Sequence, residues 1–193
     1  MDDDDDMVAS LGPVAKTLQA LGVRYYVGGS VASSFHGASR STMDVDLQCE
    51  LRERHVNEFI ASLGKQYYVS EVAMRSAIAR HSCFNLIHYP TSFKVDIFVS
   101  SGRAFDISSL DRATLHPLGS DGSLVVPILS VEDTILVKLE WFRLEDEVSE
   151  RQWNDVTRLV KLVGDEVDHD YLASTARSLG VEDLMDKLFN RNV

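Results

Sequence analysis

Two aspartates stand one residue apart in Met43-Asp44-Val45-Asp46-Leu47, with apolar residues on either side and between them. In a strand, residues i and i+2 face the same side. Asp44 and Asp46 would then point together, with Val45 and Leu47 turned to the other face. Two carboxylates so placed repel unless a cation or a proton lies between them. Hard oxygen donors at this spacing suit Mg2+ or Mn2+. The stretch Phe93-Lys94-Val95-Asp96-Ile97-Phe98 supplies a third acid, Asp96, flanked by Val95 and Ile97. Three carboxylates on adjacent strands are what a two-metal phosphoryl-transfer site requires, one metal activating the attacking oxygen and the other holding the leaving pyrophosphate. A solvent-facing edge strand would account for an Asp-x-Asp pair taken alone.

Upstream, Val27-Gly28-Gly29-Ser30 lies where a short apolar strand gives way to a helix-like run. Glycine lets a backbone approach a phosphate closely, and free N–H groups at the start of a helix favour an anion. Ser30 adds a hydroxyl donor. The order is thus a phosphate cradle followed by metal ligands on the next strand. A plain turn is the simpler account of the glycines.

The elements that must position these residues follow from periodicity and turn signals. Helical spacing runs over 8–21 and stops at Gly22, and 24–27 reads as a strand. Residues 30–37 read as one or two helical turns and 43–49 as a strand. A helix over 53–63 ends at Gly64. A strand at 67–69, a helix at 71–79 and strands at 83–88 and 93–99 follow, the last two joined as a hairpin through Tyr89-Pro90-Thr91-Ser92. A further strand covers 125–129. From Ser130, an expected N-cap, helices are predicted over 131–143, 150–163, 168–178 and 181–189. The expected fold class is therefore α/β (α+β), a mixed sheet flanked by helices over 8–129 with a helical region over 130–193. Trp141, Phe142 and Trp153 sit at helical spacing and read as core.

Composition limits the function classes. The chain has 193 residues, 45% apolar and 25% charged, which is ordinary for a globular protein. No apolar run is long enough to span a bilayer, and the acidic start is unlike a secretory signal. A cytoplasmic protein with no membrane partner is the expectation. The formal charge is −11, and five of those charges are Asp2 to Asp6, read as an acidic tail or appended remnant over 1–7. Removing those five from 30 acidic residues leaves 25 against 19 basic ones, a balance of −6. That argues against a broad surface for duplex nucleic acid, though not against a local basic groove. Cys49 and Cys83 have no CxxC partner and read as two reduced thiols. His36 and His81 are set aside as acid/base groups, His36 as a packing or capping residue beside Gly37.

Taken together, Val27-Gly28-Gly29-Ser30, Met43-Asp44-Val45-Asp46-Leu47 and Asp96 resemble the signature of the nucleotidyltransferase superfamily that includes DNA polymerase β. Arg40-Ser41-Thr42 before the acid pair, Glu132-Asp133-Thr134-Ile135-Leu136-Val137-Lys138-Leu139, and Arg151-Gln152-Trp153-Asn154-Asp155-Val156 look more specifically like the small bacterial branch that includes abortive-infection nucleotidyltransferase toxins. The resemblance covers 27 to about 160. It implies Asp44, Asp46 and Asp96 as metal ligands, with Asp96 also the base for the attacking hydroxyl. It implies Gly28, Gly29 and Ser30 as holders of a nucleoside triphosphate, and Lys138 as the cation that neutralises it; a lysine snorkelling from a half-buried helix is the alternative. Asp155 pairs with Lys138 or with a substrate base, or is a surface partner within its helix. Arg40 contacts phosphate or another acid. Thr42 is a hydroxyl near the metals or a β-branched residue entering a strand.

The implied reaction is transfer of a nucleoside monophosphate from a triphosphate to a hydroxyl of an RNA 3′ end, a protein or a small molecule such as an antibiotic, with Mg2+ or Mn2+. The branch adds a toxin–antitoxin context and an antitoxin as possible protein partner. A non-catalytic nucleotide-binding regulatory module and one half of a two-protein system are the rival readings.

Overall fold

The computed structural model describes residues 3–38, 44–164 and 166–190. Its strands are β1 (Tyr25–Val27), β2 (Asp44–Cys49), β3 (Tyr67–Val69), β4 (Cys83–His88), β5 (Phe93–Val99), β6 (Thr114–Leu118) and β7 (Leu124–Ile128). They form one mixed sheet in the order β3-β4-β5-β2-β1-β7-β6. The β2/β5 and β1/β7 pairs are parallel and the others antiparallel. The helices are α1 (Asp3–Ala20), α2 (Gly29–Phe35), α3 (Val56–Leu63), α4 (Glu71–Arg80), α5 (Ala104–Arg112), α6 (Val131–Leu144), α7 (Glu150–Val163), α8 (His169–Leu179) and α9 (Glu182–Asn190). None of the described helices is long and apolar enough to cross a membrane.

The chain divides into two compact units, Met1–Val31 with Ser41–Leu129 and Ala32–Arg40 with Ser130–Val193. The first holds the whole sheet. Its central strands alternate strictly: Val45, Leu47, Val95 and Ile97 are fully buried, while Asp44, Asp46, Lys94 and Asp96 are half-buried between them. Helices α1 and α4 pack on this sheet, and α1 contributes Leu11, Val14 and Leu18, all fully buried. Burying one such side chain contributes about 1.5–3 kcal/mol, so the apolar face holds the strands in place and the polar face is carried along.

The second unit is built by capped helices. Ser130 Oγ accepts from the Asp133 N–H at 3.2 Å, as expected of the N-cap of α6. Asp168 Oδ1 accepts from the Tyr171 N–H at 2.9 Å and starts α8. Leu136, Leu139, Val156, Leu159, Leu172 and Leu188 form the core. Phe142 is buried against Trp153, their rings 5.2 Å apart, whereas Trp141 is 39% exposed and departs from the expected core.

Three further differences from the sequence expectation have physical causes. The first helix begins at Asp3 rather than 8, so that Asp5 and Asp6 lie near its start, where acidic residues complement the helix dipole. Residues 53–63 divide into a tight turn at Glu53–His55 and then α3. Both α5 and β6 were not expected at all. Helix α5 is amphipathic only through Phe105, Ser109 and Leu110, and β6 is a sheet-edge strand with mostly exposed side chains and Pro117 inside it. The two cysteines are free, Cys49 buried and Cys83 exposed.

Helix α5 is anchored by a buried acid. Asp106 accepts from the Ser101 N–H at 3.0 Å, from Ser101 Oγ at 2.8 Å and from Arg103 Nη2 at 2.9 Å. Burial alone would raise its pKa, but the bonds from Arg103 and Ser101 outweigh it and hold the carboxyl below its ordinary 3.8. A depressed folded-state pKa contributes stability above the unfolded value that is lost as pH falls through the folded one. Asp106→Asn is therefore expected to cost about 2 kcal/mol at neutral pH and to flatten the loss of stability below pH about 4, both read by denaturant titration across pH.

Candidate active site

The site begins with a register. In the parallel β2/β5 pair, Asp46 lies opposite Asp96 and Asp44 opposite Lys94. In the antiparallel β4/β5 pair, Asn85 lies opposite Asp96 and Ile87 opposite Lys94. One sheet face thus carries a row Ile87–Lys94–Asp44 and, one step along, a row Asn85–Asp96–Asp46. The three acids expected from the sequence share a face on adjacent strands.

The glycines abut the second row. The Gly28 N–H donates to the Asp46 carbonyl at 2.9 Å, which ties the end of β1 to the acid strand. Gly29 has φ +54, and a Cβ there would overlap the Asp46 carboxylate and come within 2.8 Å of Asp46 Cβ. Only glycine lets this backbone lie against that side chain. Ser30 follows it and is buried. The two halves of the sequence motif are in direct contact.

Lys94 is the residue that the sequence reading passed over. Its Nζ lies 2.7 Å from Asp96 Oδ2. That hydrogen bond pushes the ammonium above its ordinary 10.5 against the cost of burial, with the fields of Asp96, Asp44 and Asp46 adding. The signal was present in the sequence, since Lys94 is two residues from Asp96 in an alternating strand and must share its face. The Cys83 thiol lies in the same field: partial burial, then the charges of Asp96 and Asp46, push it up to about 12. It stays protonated at neutral pH and is no nucleophile.

The carboxylates fit a divalent cation in kind, being hard oxygen donors on one face with Asp46 cradled by Gly29. Among the described residues, no group of three or more His, Cys, Asp or Glu side chains is drawn together enough to hold a metal ion. Within the triad, Asp96 is engaged by Lys94.

In the second unit, Lys138 is buried and its Nζ lies 3.4 Å from Asp155 Oδ2, so the expected lysine and aspartate helices do bring these two side chains together. The neighbouring Asp133 is fully buried and accepts from the Tyr171 hydroxyl at 2.6 Å. Arg40 and Thr42 lie outside the described residues. His81 caps α4 with φ +50, and its Nδ1 donates to the Ser100 carbonyl at 2.9 Å, a structural role. His36 packs edge-on against Phe35, ring centroids 5.3 Å apart.

With this geometry in place, comparison with solved structures defines the fold. An antigenic nucleotidyltransferase-like protein from Paracoccidioides brasiliensis aligns over 96% of this chain and 92% of its own at 19% identity, with a TM-score of 0.54. The antibiotic-resistance factor ANT(2'')-Ia aligns over 91% of this chain and 93% of its own at 14% identity and TM-score 0.48. The lincosamide antibiotic adenylyltransferase LnuA aligns over 82% and 97% at 13% identity and TM-score 0.47. No family model and no curated protein sequence matches the chain. The fold is that of nucleotidyltransferase-like proteins, and the first of these likenesses carries that statement.

Gly29→Ala is expected to displace Asp46 and strain the backbone, lowering stability by about 1–3 kcal/mol. Gly28→Ala is the control, because a Cβ there meets the Tyr26 ring at 3.5 Å and Leu129 Cδ2 at 3.9 Å, both ordinary contacts. Thermal denaturation of the two variants beside the native protein checks this: the midpoint should fall for Gly29→Ala and stay near native for Gly28→Ala.

Proposed function

We propose that this chain is a nucleotidyltransferase that moves a nucleoside monophosphate from a nucleoside triphosphate to a hydroxyl acceptor. The observation that carries the reading is the register of β2 on β5, which sets Asp46 beside Asp96 with Asp44 on the same face and Gly29 against Asp46. Fold likeness supports the class of protein and says nothing of the acceptor.

In this reading Asp44 and Asp46 hold Mg2+ or Mn2+, and Asp96 stands beside them. When bound, the ion supplies charge neutralisation at the phosphates and lowers the pKa of an oxygen placed on it. Gly28, Gly29 and Ser30 place the triphosphate, the glycines by allowing close approach of the main chain. The acceptor oxygen attacks the α-phosphorus, the bond to the α,β-bridging oxygen breaks, and pyrophosphate leaves with that electron pair. Asp96 takes the hydroxyl proton. Residues 8–129 are the catalytic domain in this proposal, and 130–193 a helical region; a role for Lys138 at the triphosphate rests on the sequence resemblance alone.

Asp44→Ala/Asp46→Ala is expected to abolish metal-dependent transfer, a loss of at least a thousandfold, while circular dichroism and the unfolding midpoint stay near native. The assay mixes the protein with Mg2+, each α-labelled nucleoside triphosphate in turn, and RNA, protein and small-molecule pools kept separate. Label that appears only with the native acids establishes the reaction, and the labelled pool names the acceptor class; label on RNA would favour the toxin-type branch. Equal labelling by the double variant would overturn the proposal. For Lys138, replacement by Met is expected to raise the KM for the triphosphate about tenfold, as loss of one phosphate-facing charge would. An unchanged KM would return Lys138 to a purely structural pairing with Asp155.

A further inference from the structure

Acidic residues outnumber basic ones in this chain, 30 against 19, so a Lys or Arg on its surface has acids to pair with. In the second unit Lys138, Arg143, Arg177 and Lys187 do so, each within 4.0 Å of a carboxylate, of Asp155, Asp183, Glu182 and Glu147 in turn. Arg151, Arg158 and Lys161 do not. All three are exposed, and none makes a side-chain hydrogen bond or ion pair with any described residue. All three stand on α7, at spacings of seven and three residues that put them on one face of the helix. Asn154, also exposed, falls between Arg151 and Arg158 on that face. Glu150 is the one acid on the exposed arc; it sits in the first turn, about 16 Å of helix rise from Lys161. Asp155 borders the arc and is engaged by Lys138. An acidic chain thus gathers its unpaired cations of this unit into one stripe.

We propose that this face of α7 holds the phosphate backbone of a single-stranded RNA. The charge is of the right sign, and two of the three cations are arginines, whose planar fork grips a phosphate through two parallel hydrogen bonds. Asn154 adds a neutral side chain of a kind that also bonds backbone phosphate and sugar. From Arg151 to Lys161 the stripe rises about 15 Å, long enough to pass several phosphates of one strand but too narrow to coat a duplex. A membrane is a poorer fit: Val156, Leu159 and Val160 are buried on the far side of α7, and Leu162 is its one exposed large apolar residue, too little to enter a bilayer. The choice of RNA rests on the proposed function and deepens it, because an RNA strand joins phosphates that can be held to a terminal hydroxyl that can be attacked.

The test is fluorescence anisotropy of a short labelled single-stranded RNA of mixed sequence, titrated with the full chain over a series of KCl concentrations. Three cations on a single strand give a slope of log affinity against log salt near −2, so the native protein should bind about twentyfold more weakly at about 200 than at 50 mM KCl. Arg151→Gln/Arg158→Gln/Lys161→Gln is expected to bind at least tenfold more weakly at the lower salt and to lose most of that slope, with the unfolding midpoint unchanged because the side chains are exposed. Arg177→Gln/Lys187→Gln removes two cations that acids already neutralise and should bind as native. No RNA binding by the native protein, native-like binding by the triple variant, or an equal loss in the control overturns the inference. Binding of polyglutamate or of phosphatidylserine vesicles without binding of RNA assigns the stripe to an acidic protein or a membrane and overturns it as well. Label transfer to a protein or small-molecule pool with no RNA binding sinks this inference and leaves the proposed function standing. RNA binding through the stripe with no label transfer to any pool does the reverse.

Discussion

Two carboxylates side by side on neighbouring strands repel, and nothing on their own face would choose to place them there. Asp46 and Asp96 are held opposite each other because the residues between them, Val45, Leu47, Val95 and Ile97, are fully buried on the other face. A slip of one residue in β2 or β5 would turn those side chains to water and drive aspartates into the core. Burial of four large aliphatic side chains outweighs a half-solvated repulsion by several kcal/mol. The rest of the first unit serves this register. The β1/β2 pairing brings Gly28 and Gly29 to Asp46, and α1 and α4 supply the apolar partner for the buried face.

The same physics explains how the chain tolerates its other buried polar groups. Asp106 is nearly inaccessible yet accepts bonds from Ser101 and Arg103. Asp133 is fully buried with the Tyr171 hydroxyl on it, and Lys138 is buried beside Asp155. Each is a polar group whose transfer from water is offset by a partner. These acids differ from Asp44, Asp46 and Asp96 in position: they stabilise local structure from within the core, whereas the triad lies half-buried on a sheet face.

Where the sequence was legible, the reason is periodic. Strands β2, β4 and β5 alternate between one buried and one polar face, so their limits and facing could be read directly, and the hairpin joining the last two was announced by its turn residues. Helices α6 to α9 declared themselves by apolar spacing and by caps such as Ser130. Helix α5 and strand β6 did not, because one buries few apolar residues and the other is an edge strand whose side chains mostly face water. Trp141 shows the converse error: its helical spacing suggested core, but a helix with buried residues over much of its circumference still exposes one side, and Trp141 falls there.

The sequence by itself determined which of the candidate site residues share a face, since alternation along a strand is a local property of the backbone. Asp44 with Asp46, and Lys94 with Asp96, follow from that alone. Tertiary structure decided which strands are neighbours and in what register. No local rule says that β2 lies parallel to β5, that Asp46 meets Asp96, or that a Cβ at Gly29 would collide with the Asp46 carboxylate. Those depend on the burial of residues far apart in the chain, and the ion pair of Lys94 with Asp96 rather than Asp44 is a choice made only once both strands are in place.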